Sequence, residues 1–201
     1  MTGARTARRT SSKPRRVRKA LPLLALTHAD DSWPRQVEVR LGSDAPSRLW
    51  AIGNLEILPG RKVGLFCSVR CPGSAIIAAH DAARKLRDDG VTVISGFHSP
   101  VEKECLRILL RGKQPIIICL ARSLVKIRVP SEWRPALESG RLLLLSRFEK
   151  RPRRPDAKSA RRRNALVAAL SDEVLIIHVT PGGQIDQISE LASNWGIPQL
   201  R

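Results

Sequence analysis

The sequence predicts an α/β chain built on a doubly wound, mostly parallel sheet with helices on both faces, and three observations carry that reading. Apolar runs of strand length alternate with helical stretches from residue 62 onward. The runs at 63–66, 115–120 and 141–146 are apolar almost throughout, as in strands buried on both faces, rather than alternating with polar residues. Polar, glycine-bearing turns stand where strands hand over to helices, at 67–73 and 180–183. The architecture expected therefore has about five parallel strands.

The first unit, residues 62–96, reads as strand, polar turn, helix, strand. An apolar run at 63–66 leads into Cys-Ser-Val-Arg-Cys-Pro-Gly at 67–73, an alanine-rich helix, an Asp-Asp-Gly stop and a second apolar run at 91–94. A crossover between parallel strands is right-handed, so ligands gather beyond the carboxyl ends of the strands, where loops enter helix N-termini. There the unpaired N–H groups and the positive pole favour an anion. Ser68, Arg70, Gly73 and Ser74 are residue types that approach or bond a phosphate. Neither GxGxxG nor GxxxxGK[ST] is present, which excludes a standard dinucleotide fingerprint and a P-loop.

Before this unit, residues 29–49 are mixed and proline-interrupted, with one expected strand at 37–41, and residues 49–58 read as a short strand and turn. After Gly96, Ser99 is an N-cap, Pro100 suits the first helical position and Glu102 completes a capping box, so a helix is expected over 101–111. His98, Glu102 and Cys105 share a helix face, but the cap accounts for Glu102 and packing for Cys105, so no metal site is expected. A buried strand at 115–120 is followed by Arg122, Lys126 and Arg128, then a short helix at 132–139 and a strand at 141–146. The basic run 147–163, with Lys158, Arg161 and Arg162 in its second half, reads as an exposed loop passing into an alanine-rich helix from Asn164. A strand at 174–179, the Thr-Pro-Gly-Gly turn at 180–183 and a helix at 184–195 complete the alternation.

Charge narrows the partners. The 201 residues carry 36 Lys and Arg against 18 Asp and Glu, a formal net charge of +18. A polyanion relieves such self-repulsion, and nucleic acid fits better than an anionic membrane because the basic segments lack an apolar face. No apolar stretch is long enough to span a bilayer. Residues 1–20 contain eight basic residues and no acid, which predicts a disordered tail, read either as a phosphate-binding arm or as a solubilising extension. Residues 21–48 read as a lead-in and 49–201 as the domain. The four cysteines, at 67, 71, 105 and 119, lack finger spacing and read as reduced thiols of a cytoplasmic protein.

The order of motifs resembles the DprA/Smf DNA-processing family. The resemblance rests on Leu-Trp-Ala-Ile-Gly-Asn-Leu-Glu-Ile-Leu at 49–58, Val-Gly-Leu-Phe-Cys-Ser-Val-Arg at 63–70 and Val-Thr-Val-Ile-Ser-Gly at 91–96. Gly-Arg-Leu-Leu-Leu-Leu-Ser-Arg-Phe at 140–148 and Arg-Asn-Ala-Leu-Val-Ala-Ala-Leu-Ser-Asp at 163–172 complete it. It implies a Rossmann-like core, single-stranded DNA binding without catalysis or cofactor, dimerisation, and support of the recombinase RecA in recombination or natural transformation. By position it implies that Ser68 and Arg70 contact phosphate, that Ser95 and Gly96 line the pocket, that Arg163 and Asn164 bond backbone or base, and that Gly182 and Gly183 form the last glycine loop. Ser74, Arg122, Lys126, Lys158 and Arg162 join these as candidate phosphate contacts on the same edge. Trp133 and Phe148 are the candidate stacking residues. The chain departs from the family pattern at Cys67, Val69, Glu102, Arg147 and Ala165.

Two other functions compete. Pro-Gly-Gly at 181–183 before a helix is similar to the turn of the Lonely Guy phosphoribohydrolases, which makes a nucleotide sensor or related enzyme the alternative, although the Gly-Thr and the spacing to the Glu of that motif are missing. A structural protein whose basic stretches bind an acidic partner is the third reading. No Ser-His-Asp or Cys-His arrangement is legible.

Overall fold

The computed structural model describes residues 22–150 and 156–200; the expected basic tail at 1–20 and the basic segment 151–155 lie outside the described residues. The strands are β1 (Leu24–Thr27), β2 (Arg48–Gly53), β3 (Lys62–Phe66), β4 (Thr92–Ser95), β5 (Ile116–Cys119), β6 (Leu142–Ser146), β7 (Glu173–Ile176) and β8 (Gln199–Leu200). The helices are α1 (Gln36–Leu41), α2 (Gly73–Asp88), α3 (Pro100–Leu109), α4 (Arg134–Glu138), α5 (Ala157–Leu170) and α6 (Gln184–Asn194).

All eight strands form one sheet in the order β1-β2-β6-β5-β4-β3-β7-β8. Strands β3 to β8 pair in parallel, while β2 joins β6 antiparallel and carries β1 antiparallel on its outer side. Every residue of β3, β5 and β6 is buried, as strands covered on both faces require. One core layer joins the sheet to α1, α5 and α6 through Val37, Leu166, Val167, Ile185 and Ile188. The opposite layer joins it to α2, α3 and α4 through Ala79, Ala83, Cys105, Leu106, Leu109 and Leu137. The doubly wound α/β architecture expected from the sequence is thus present, with six parallel strands where about five were counted.

Several local expectations are corrected. Residues 37–41, expected as a strand, lie in α1. The alternation Val37, Val39, Leu41 mimics a strand, but Val37 and Leu41 are also one helical turn apart and pack into the core while Val39 is 84% exposed. Arg40 then donates from Nη1 to the carbonyls of Ala169 and Ser171 at the carboxyl end of α5, where a cation opposes the dipole. Helix α5 begins at Ala157, seven residues before the expected start, because Asp156 and Ser159 form a reciprocal capping box. Strand β7 ends at Ile176, so His178 lies in the following loop instead of inside a strand. Strands β1 and β8 were not foreseen; each is short and one-sided, so periodicity offers little to read.

The capping box of α3 is present as expected, with Ser99 Oγ accepting from the Glu102 N–H and Glu102 Oε2 accepting from the Ser99 N–H. Replacing Ile117, fully buried in β5, by alanine deletes packed methylenes from the core layer shared with α1, α5 and α6 and is expected to lower unfolding free energy by about 2–5 kcal/mol in urea titrations, with little change in m. Ser99→Ala is expected to cost about 1 kcal/mol in the same assay through loss of the cap.

Candidate functional site

Strand order reverses beside β3: the chain steps outward through β4, β5 and β6, then returns to place β7 on the other side of β3. The loops that leave β3 and β7 therefore part at their carboxyl ends, the position where open α/β sheets hold ligands. A cleft of about 880 Å³ opens there, lined by the loops after β3, β4, β5 and β7 and by the first turns of α5 and α6. Such a volume suits a small ligand or one or two nucleotides of a strand.

Ser68 ties the two parting loops together. Its N–H donates to the His178 carbonyl at 3.1 Å and its Oγ accepts from the Thr180 N–H at 3.0 Å. Thr180 Oγ1 donates in turn to the Arg70 carbonyl at 3.5 Å. The left-handed Gly182, at φ +70, turns the chain into α6, and its N–H is taken by Asp186 Oδ2. No side chain caps α6, and Gly183, Gln184 and Ile185 face the cleft, so the positive pole of that helix points into it.

On the far side, Glu102 gathers the loops after β3 and β4. Its carboxylate is 6% exposed and accepts from the N–H groups of Cys67 at 3.1 Å, His98 at 2.8 Å and Ser99 at 3.1 Å. Cys67 is pushed up to about 12, first by burial and then by the neighbouring Cys71 thiol, so it stays a neutral thiol. Burial also pushes Cys105 up to about 12, and its Sγ donates to the Ala79 carbonyl. Among the described residues no three His, Cys, Asp or Glu side chains gather to hold a metal ion.

The centre of the cleft is Arg163. Its side chain lies against Gly96 so closely that a Cβ there would meet Nη1 at 1.4 Å. Gly96 thus owes its identity to this approach, not to a turn. Arg163 is 5% exposed, its Nε has no hydrogen-bond partner among the described residues, and it joins none of the described ion pairs. Burial lowers its pKa and the nearby Glu102 charge opposes that, yet a guanidinium remains charged at any ordinary pH. A buried guanidinium that lines an open cleft and pairs with no described carboxylate is chemically suited to an anion.

Of the residues expected at the site, the structure brings Ser68, Arg70, Gly96, Arg122, Arg163, Asn164 and Gly183 to the cleft wall. The others do not line it. Ser95 is fully buried and accepts from the Phe97 N–H, because the strand end folds its hydroxyl back on the backbone. Arg162 pairs with the exposed Asp44 at 3.2 Å, beside the pair that the buried Arg147 makes with the same carboxylate, because one helical position rotates it about 100° away from Arg163. Ser74 and Lys158 are exposed on the first turns of α2 and α5, Lys126 is an exposed loop residue with left-handed backbone, and Gly182 shapes the turn from outside. Trp133 lines the cleft and Phe148 does not. Sequence reasoning missed Lys103 and Arg107, which face the cleft from α3; their i,i+4 spacing on its exposed face was the available signal. The wall thus carries five Lys and Arg side chains against three carboxylates.

The model of the family described as DNA recombination-mediator protein A matches residues 24–187. Among solved structures, DNA processing protein A from Helicobacter pylori, studied for its single-stranded DNA binding mode, superposes with a TM-score of 0.71 at 24% identity, covering 89% of this chain and 80% of that one. DNA processing protein A (DprA) from Streptococcus pneumoniae superposes with a TM-score of 0.70 at 19% identity, covering 90% of this chain, which spans 62% of that protein. Both likenesses show a common fold. No curated protein matches the chain by sequence. A family match that runs from β1 into α6 and encloses the cleft places this chain in the DNA recombination-mediator protein A family.

Proposed function

We propose that the cleft binds single-stranded DNA, without catalysis and without a cofactor, and that the protein supports RecA-dependent recombination. The observation that carries the reading is Arg163: a buried guanidinium, unpaired by any described carboxylate, at the switch point of a chain of net charge +18. In this reading one phosphate sits on Arg163, within reach of the Asn164 amide and the positive pole of α6. Arg70, Arg122, Lys103 and Arg107 neutralise neighbouring phosphates, and the Trp133 indole stacks on a base. Family membership supports the recombination role, and the Helicobacter pylori protein of the same fold is described as binding single-stranded DNA. Two of the three lining carboxylates are engaged with backbone N–H groups, Glu102 with three and Asp156 with the Ser159 amide, which supports a binding module over an enzyme. The basic tail at 1–20 adds unspecific affinity, 49–201 forms the binding domain with the lead-in packed onto it, and a homodimer presents two clefts to one strand. Action in the cytoplasm follows from the partners; among the described residues no helix is long and apolar enough to cross a membrane.

The test is fluorescence anisotropy of a labelled oligothymidine and of a duplex over a salt series. Single strands are expected to bind more tightly than duplex, with log Kd rising linearly in log salt. Arg163→Ala is expected to weaken binding at least tenfold, Gly96→Ala to do the same by displacing the guanidinium, and Arg70→Ala, on the exposed rim, to weaken it without affecting folding. Equal affinity for both DNA forms, or affinity indifferent to all three substitutions, would overturn the reading.

A pH dependence follows as well. His98 lines the cleft, and burial, then the Arg163 and Lys103 charges, hold its pKa below the usual 6.5, with Glu102 opposing. Phosphate entering the cleft favours the imidazolium, so the complex has the higher pKa and binding takes up a proton. Affinity is therefore expected to increase as pH falls from neutral through the ordinary histidine range, and His98→Gln is expected to flatten that profile.

A further inference from the structure

Phosphate recognition uses none of the four cysteines, yet two of them stand together. Cys67 and Cys71 bracket Ser68, Val69 and Arg70 in the loop after β3, and the chain bends at Val69 and Arg70. Both side chains turn to the same core layer, Cys67 buried within it and Cys71 packed against it, half-buried. Their thiols adjoin closely enough to share a hydrogen bond. The two ends of the loop are held unequally. Cys67 is pinned by its N–H to Glu102 Oε1 at 3.1 Å and by the neighbouring Ser68, which holds the His178 carbonyl and the Thr180 N–H. Toward the other end, the Arg70 carbonyl accepts from Thr180 Oγ1 at 3.5 Å, the limit of a hydrogen bond. Cys105 and Cys119 are fully buried elsewhere in the core.

Two adjoining thiols on one short, bent loop differ from a lone cysteine, because once one is oxidised the other is already in place to attack it. Cys71 is the one that solvent reaches, and burial keeps Cys67 from reacting first. The Cys71 thiolate attacks one sulfur of a low-molecular-weight disulfide, whose other half leaves as a thiolate. Cys67 Sγ then attacks Cys71 Sγ: the protein S–S bond forms, the mixed bond breaks, and the second half leaves with the Cys67 proton. Two protein thiols are oxidised and one small disulfide is reduced to two thiols. The bond brings the sulfurs to about 2 Å, and with Cys67 as the pinned end it is Cys71 that moves inward. Arg70 is its direct neighbour in the chain and moves with it, at the expense of the long Thr180 contact.

We infer that Cys67 and Cys71 are a redox-active pair that low-molecular-weight disulfides close reversibly, and that closing it withdraws Arg70 from the cleft wall. The bond itself is independent of the proposed DNA binding, whereas its effect on affinity rests on that reading. The folded full chain is equilibrated with oxidised glutathione, quenched by alkylation and digested with trypsin, which cuts after Arg70 and so between the two cysteines. The peptides carrying Cys67 and Cys71 are expected to be joined before dithiothreitol and separate after it, with Cys105 and Cys119 recovered as thiols. Cys67→Ser is expected to stop with glutathione on Cys71, and Cys71→Ser to leave Cys67 unmodified. Glutathione on wild-type Cys71 without joined peptides, or a Cys71–Cys71 bond between two chains, would overturn the pair, so the wild-type map decides even where a variant fails to fold. In a second arm, the closed protein is expected to bind labelled oligothymidine about threefold more weakly, as on losing one exposed ion pair, and to recover in dithiothreitol. A mapped bond with unchanged affinity would overturn the link to Arg70. Absence of binding in both redox states would instead overturn the DNA reading and leave the pair standing.

Discussion

The geometry of the cleft depends on one buried carboxylate. Glu102 holds the backbone N–H groups of Cys67, at the end of β3, and of His98 and Ser99, in the loop after β4, so two neighbouring strand ends are drawn to one point. A carboxylate removed from water is costly unless it is hydrogen-bonded, and three donors with a guanidinium nearby meet that need. The dependence is mutual. Without Glu102 the three amides would be left with no acceptor, and Arg163 would lose the charge that opposes its desolvation. The α3 capping box is one half of this arrangement: the residue that starts the helix also fixes the floor of the site.

Around that node, the sheet topology concentrates positive potential. The strand order places the amino end of α6 at the switch point, and the Ser68–Thr180 contact keeps the two parting loops at fixed separation. Arg163 reaches this point from α5 across the face of Gly96, where any side chain would collide with it. Focusing of field lines in a low-dielectric cleft then makes a few fixed charges count for more than the many scattered over the surface. The net charge of the chain favours encounter with a polyanion, whereas in the proposed function the buried guanidinium supplies a defined place for one phosphate. Two DNA processing proteins share this fold, and the family match runs across it from β1 to α6.

Much of this was legible in the sequence. The continuous apolar runs specified strands buried on both faces, the Ser99–Glu102 spacing specified a helix start, and the strand-to-helix turns specified the binding edge, because each signal is local and repeats a short-range physical rule. Arg163, Asn164 and Gly96 were reached through motif order. Signals that serve two structures were misread: Val37, Val39 and Leu41 satisfy both a two-residue and a helical period, and packing against α5 decides between them. The start of α5 was placed late because a run of arginines hides a cap made by Asp156 and Ser159.

By itself, then, the sequence determined the fold class, the order of most elements, the sign of the charge and the edge of the sheet where the cleft opens. All of these follow from interactions between residues close in the chain or from composition alone. The tertiary structure decided which of two adjacent arginines serves the cleft, turning Arg163 onto Gly96 and Arg162 onto Asp44. It also decided that Ser95 and Glu102 satisfy backbone groups, and that Lys103, Arg107 and Glu132 share a wall with residues from distant parts of the chain. Those outcomes depend on which partners lie within hydrogen-bond and ion-pair range of each side chain, and contacts between residues far apart in sequence settle that.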